Sequence, residues 1–141
     1  MAHARTQIRN AVVAALTGLS TTGARVHASR MRPTDALPAL LITTDAEVIE
    51  QGAQRRQMRT VDIVVRGLAK GGDGVDDTLD QIALEVETAM QSSAIAALAA
   101  PCVLSRVDIE FDNALEKPVG MVVLAYRAVY FTQAGAPAVT V

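Results

Sequence analysis

Tryptophan is missing from the chain, lysine is nearly so, and Phe111, Tyr126, Tyr130 and Phe131 are its whole aromatic complement. A chain of 141 residues is the size of one ordinary domain and buries roughly two-thirds of its unfolded surface on folding. Its core must therefore be aliphatic. The single cysteine, Cys102, excludes an intrachain disulfide. Beside Pro101 and among apolar neighbours it reads as a small buried hydrophobe, not a nucleophile. Histidine occurs as His3 and His27 alone, and no second His or Cys stands at metal-ligand spacing, so neither a metal nor a cofactor is expected. No apolar run approaches the roughly 18 residues that a membrane-crossing helix needs. A net charge of −2 and a pI near 5.6 give no overall attraction to nucleic acid or to an anionic membrane. All 13 basic residues except Lys70 and Lys117 are arginine, a bias that suits planar ion pairs at interfaces and that a GC-rich genome also produces.

The opening stretch sets Arg5 and Arg9 before a short apolar run, as a signal peptide does. Ile8, Val12, Leu16 and Leu19, however, fall on one helical stripe, which predicts an amphipathic helix. Ser20 to Gly23 breaks it. "ARVHA" then reads as a short strand and "PALLITTDAEVIE" as a longer, β-branched one. In "RRQMRTVDIVVRGL", Val61, Ile63 and Val65 share a face with Arg59 while Thr60, Asp62, Val64 and Arg66 share the other, the pattern of a half-buried strand. The short "EQGAQ" between these two strands predicts a hairpin. After the loop "AKGGDG", Val75, Leu79, Ile82, Val86 and Met90 mark the clearest helix, with Asp76, Asp77 and Asp80 expected in its first turn as caps and dipole partners. "SSAIAALAAP" has room for a further helical turn before Pro101. In "CVLSRVDIEFD", Val103, Val107, Ile109 and Phe111 alternate with a mostly charged set, predicting a one-sided strand. The last strand, "VGMVVLAYRAVYFT", is apolar on both faces, so it is either central in the sheet or covered by another subunit. The expected fold is a single α+β domain over residues 1–131, mostly antiparallel sheet with helices on one face, in the order α-β-β-β-α-β-β. Residues 132–141 are expected to form a loose tail.

No convergent chemistry emerges from the motifs. Ser29 lies two strand residues from His27, about 7 Å away, too far for a base to reach its hydroxyl, and Asp35 completes no triad. "LAKGGDGVDDT" lacks the Gly-Lys-Ser/Thr of a phosphate loop, and Asp73, Asp76, Asp77 and Asp80 repel phosphate. As a calcium loop starting at Asp73 it has Thr78 where glycine is needed and Leu84 where an acid is needed. The chain is expected not to be an enzyme. If the predicted hairpin forms, Arg30 and Arg32 lie near its open end and Arg55, Arg56 and Arg59 near its turn, about 33 Å apart. They then mark two rims of a flat body. The doubly apolar last strand makes Met121, Val122, Leu124 and Tyr126 the candidate subunit interface.

Several stretches, in order, resemble one family: the opening helix "TQIRNAVVAAL", the proline-led strand "LPALLITTDAE", the strand-loop-acidic helix unit "VDIVVRGLAKGGDGVDDTLDQIALEVETAM" and the closing "YRAVYFT". Over about residues 5–132 the chain resembles the tail terminator proteins of long-tailed phages, of the lambda type, and their relatives in phage-like particles. The resemblance implies a small α/β domain that assembles as a homohexameric ring, caps the tail tube, stops its growth and joins the tail to the head. It implies no catalysis. The partners would be the chain itself, the tail tube protein and a head–tail connector protein, in the virion after assembly in the host cytoplasm, with DNA passing through the ring lumen without sequence-specific contact. Around such a ring each arginine rim becomes a charged annulus that meets a different neighbour. Two other readings are a head–tail completion protein and a small α+β module holding an anionic ligand between His27 and the arginines.

Overall fold

The computed structural model describes residues 1–30, 36–112 and 118–141. Helix α1 (Ala4–Leu16) buries Ala4, Ile8, Val12 and Leu16. The His3 imidazole caps it, Nδ1 accepting the Arg5 N–H at 3.0 Å. Leu19, the last residue of the expected stripe, lies beyond the helix in a turn, yet still packs on the core. Strand β1 (Val26–His27) runs parallel to β2 (Ala39–Gln51), and β2 forms the expected antiparallel hairpin with β3 (Arg56–Lys70). The turn between them carries Gln54 and Arg55 at φ 57° and 63°, a left-handed pair that reverses the chain tightly.

Helix α2 (Val75–Ala89), helix α3 (Ser93–Leu98), β4 (Cys102–Asp112), β5 (Val119–Gln133) and β6 (Ala136–Thr140) complete the domain. The sheet order is β1-β2-β3-β5-β4, antiparallel except for β1, with β6 pairing the end of β5. The α+β class is as expected, with α3 and β6 added to the order. The predicted loose tail is a correction: Thr132 and Gln133 still belong to β5, and β6 folds back onto them. Ladder hydrogen bonds and a glycine turn at Gly135, φ 81°, account for it.

Leu40, Ile42, Val61, Ile63, Val65, Val122, Leu124 and Tyr126 point from one sheet face into the main core, where they meet the stripes of α1 and α2. That corrects the interface assigned to the last strand. Val122, Leu124 and Tyr126 are buried inside the subunit, and Met121, on the opposite face, is buried with Leu41 and Leu68. Strand β5 is apolar on both faces because it is central, lying between β3 and β4. Glycines set how closely α2 sits. A Cβ on Gly67 would come within 2.6 Å of Ile82 Cγ2, and one on Gly120 within 2.7 Å of Val75 Cγ2, so the helix rests on bare backbone of β3 and β5. In α2 only Asp76 and Asp77 occupy the first turn, Asp80 falls in the second, and no side chain caps the helix. The acids therefore act through the dipole alone.

Two bulges reassign faces. One extra residue between Thr44 and Glu47 keeps Glu47 on the helix side with Val61, where strict alternation would point it away. Another at Ser105 places Leu104 with Tyr126, and so with the face of Val107, while Val103 turns to the opposite side against Arg127. Glu85 of α2 fastens the turn after α1, accepting from the Thr21 N–H at 2.9 Å and from the Thr21 hydroxyl at 2.5 Å.

Gly67→Val should cost about 1–3 kcal/mol, the usual range for overpacking a core, read as a lower denaturant midpoint with unchanged slope. A pH effect follows from Glu85. Burial raises its pKa, but the Thr21 bonds and the Gln81 amide outweigh that and hold it below the ordinary 4.5. The unfolded chain then takes up the proton first, so the stabilisation is present above the unfolded value and is lost as pH falls through the folded one. The thermal midpoint should drop less steeply below about pH 5 in Glu85→Gln than in the wild type.

Candidate functional site

Glu47 is the centre of a buried polar cluster. Its side chain is 4% exposed and accepts from Arg5 Nη1 at 2.7 Å and Arg59 Nη1 at 2.9 Å, and the Tyr130 hydroxyl also donates to it. Arg59 makes two further bonds within the subunit, Nε to Thr132 Oγ1 at 2.9 Å and Nη2 to Gln57 Oε1 at 3.0 Å. Burial, then the bond to Glu47, pushes the Tyr130 phenol pKa upward, so the phenol stays protonated and keeps donating. The cluster joins α1, β2, β3 and β5 with its donors and acceptors matched, an arrangement suited to holding elements together.

Arg59 is therefore not a rim residue. Val61, Ile63 and Val65 set its face, and that face is the core. Arg55 and Arg56 do project at the hairpin turn: Arg55 Nη2 reaches the Ala134 carbonyl at 3.3 Å, and the Arg56 guanidinium stacks over the Phe131 ring at 4.3 Å. Arg30 is exposed but lies part-way along β2, donating to Asp45 Oδ1 at 2.8 Å and to the Thr44 carbonyl at 3.1 Å. Its head group is thus six residues short of the end of β2, roughly 20 Å from the turn, and not at the far end of the sheet. Arg32 lies outside the described residues. So does Asp35.

His27 is an exposed strand end, and Ser29 lines a shallow depression with Arg30, Leu41 and Arg66. Burial pushes the half-buried Cys102 thiol pKa up, which disfavours the thiolate. Among the described residues no group of three or more His, Cys, Asp or Glu side chains is placed to hold a metal ion. No helix among them is long and apolar enough to cross a membrane.

The surface features that stand out are the two outer strands of the sheet. Among the described residues helix α2 lies over β3 and β5 and does not reach the far part of β4, where Val107, Ile109 and Phe111 are 45%, 51% and 50% exposed on the helix side. Among the described residues β4 pairs with β5 alone. At the opposite border, among the described residues, β1 pairs with β2 only at Leu40 and Leu41, and the later part of β2 carries Val48 and Ile49, 65% and 41% exposed. Charge does not distinguish the two borders: β2 carries Asp45, Glu47 and Glu50, and β4 carries Arg106, Asp108, Glu110 and Asp112. The alternation of β4 was legible in the sequence. That its apolar side lacks a cover depends on where α2 lands.

Glu47→Ala removes the partner of a buried guanidinium and should cost about 3–5 kcal/mol by chemical denaturation. Glu47→Leu with Arg59→Met should cost less than the two single changes together, because no buried charge is left unpaired. An additive result would mean that Arg59 is solvated independently of Glu47.

Set against known proteins, the chain matches no family model and no curated protein.

Proposed function

We propose that this protein is a structural ring subunit of the tail terminator type. Copies join side by side into a closed ring that caps a tail tube, ends its growth and offers its other surface to the head. The observation that carries the reading is the pair of open, apolar sheet borders on opposite sides of one plate. A contact between unlike surfaces of identical subunits is heterologous, and such contacts generate rings when the rotation between neighbours closes. The resemblance set out above supplies the hexameric count and the partners, the tail tube protein and a head–tail connector. Arg55 and Arg56, the outward-facing pair at the hairpin turn, would recur around the ring and meet one of those neighbours.

The purified protein should run as one discrete oligomer by light scattering and show rings in negative stain. A monomer at every concentration from micromolar upward defeats the proposal. Loss of the gene should give particles with overlong tails, whereas tails of normal length detached from heads would mark a completion protein. Arg55→Glu with Arg56→Glu should leave the ring intact and reduce its capture by assembled tubes or by filled heads, more so at low salt than at high salt.

A further inference from the structure

We propose that the bare edge of β4 is covered by a second copy of this chain, whose β2 edge adds to it as an antiparallel strand. The contact rests on the ring reading for its closure, and on geometry for everything else. Along the sheet β2, β3, β5 and β4 alternate in direction. A neighbour placed beside β4 without being turned over therefore presents its β2 antiparallel, with helix faces on the same side. The free stretch of β2 runs from Glu47 to Gln51, since Arg30 already occupies the Thr44 carbonyl.

Face and charge then select a register. Ile49 and Val107 both sit on the helix side, opposite Arg59 and Leu124 in their own ladders. Setting Ile49 against Val107 pairs two exposed apolar side chains and puts Glu50 against Arg106 on the other face. A shift of two residues one way opposes Glu50 to Asp108, two like charges. The shift the other way runs into the Ser105 bulge, where β4 exchanges its faces. The same register carries Glu110 of β4 towards the neighbour's Arg30, exposed beside Asp45. An edge with half-exposed Val107, Ile109 and Phe111 is a template for strand addition unless something covers it. A second copy supplies both the backbone partners and the matching charges.

The test uses the full chain with Cys102→Ser, carrying either Ile49→Cys or Val107→Cys. Directly opposed strand residues lie about 4.5–5.5 Å apart at Cα, within disulfide range. On mild oxidation a mixture of the two variants should give a cross-linked dimer on a non-reducing gel, and neither variant alone should. Arg106→Glu should weaken self-association about tenfold, and adding Glu50→Arg should restore it, with circular dichroism and the thermal midpoint of each variant as checks on folding. Efficient dimers from Val107→Cys alone would mean that two β4 edges meet, and would overturn the proposal. An oligomer that forms but never cross-links places the interface elsewhere and leaves the ring reading standing. A chain that stays monomeric removes both.

Discussion

The seating of α2 on the backbone of β3 and β5 governs the rest of the architecture. Gly67 and Gly120 let Ile82, Val75 and Leu79 reach the sheet without an intervening layer of Cβ atoms, so the middle of the sheet is closely covered. A helix is about 10–12 Å wide with its side chains, and strands are spaced about 4.8 Å apart. One helix therefore shelters two or three strands. With α2 centred on β3 and β5 and α1 lying towards β2, Val107, Ile109 and Phe111 of β4 become surface.

The polar cluster around Glu47 fixes the other half of the molecule. It is reached by helix α1 through Arg5, by β3 through Arg59 and by β5 through Tyr130, so the N-terminal helix is held against the sheet at one defined position. Buried ion pairs give little net stability, but breaking one leaves a charge without solvent. The bulge before Glu47 is the local device that makes the cluster possible, since it rotates the carboxylate towards the helices and Arg59. Arg59 serves the interior for this reason, while Arg55 and Arg56, a few residues away in the same turn region, serve the surface.

Long open edges are a hazard for a protein that works alone, and natural sheets blunt them with charge, bulges or a covering element. Here β2 is partly blunted by its bulge and by Arg30. β4 has a bulge near its start and charges on one face, then seven residues from Arg106 to Asp112 with an exposed apolar side. In the proposed assembly that segment is an interface. The twist of the extended sheet would then decide whether such a series closes.

The sequence by itself determined the elements that depend on local periodicity. The stripes Ile8–Val12–Leu16 and Val75–Leu79–Ile82–Val86 predict α1 and α2, the alternation around Ile63 predicts β3, and the two-faced apolar pattern of residues 119–132 marks a strand flanked on all sides. It could not assign that burial to this chain's own helices instead of a neighbour, because a buried face looks the same whoever covers it. Nor could it show β6, whose five residues carry little alternation and are held by pairing with the end of β5. Tertiary structure alone decided which arginines face water. Arg55, Arg56 and Arg59 lie in one short run, but side-chain direction in a strand reverses at each residue, and a single inserted residue at a bulge reverses it again. The two bulges brought Glu47 to Arg59 and turned Val103 away from Val107. Only the landing site of α2, set by contacts between residues far apart in sequence, left Val107, Ile109 and Phe111 of β4 about half exposed.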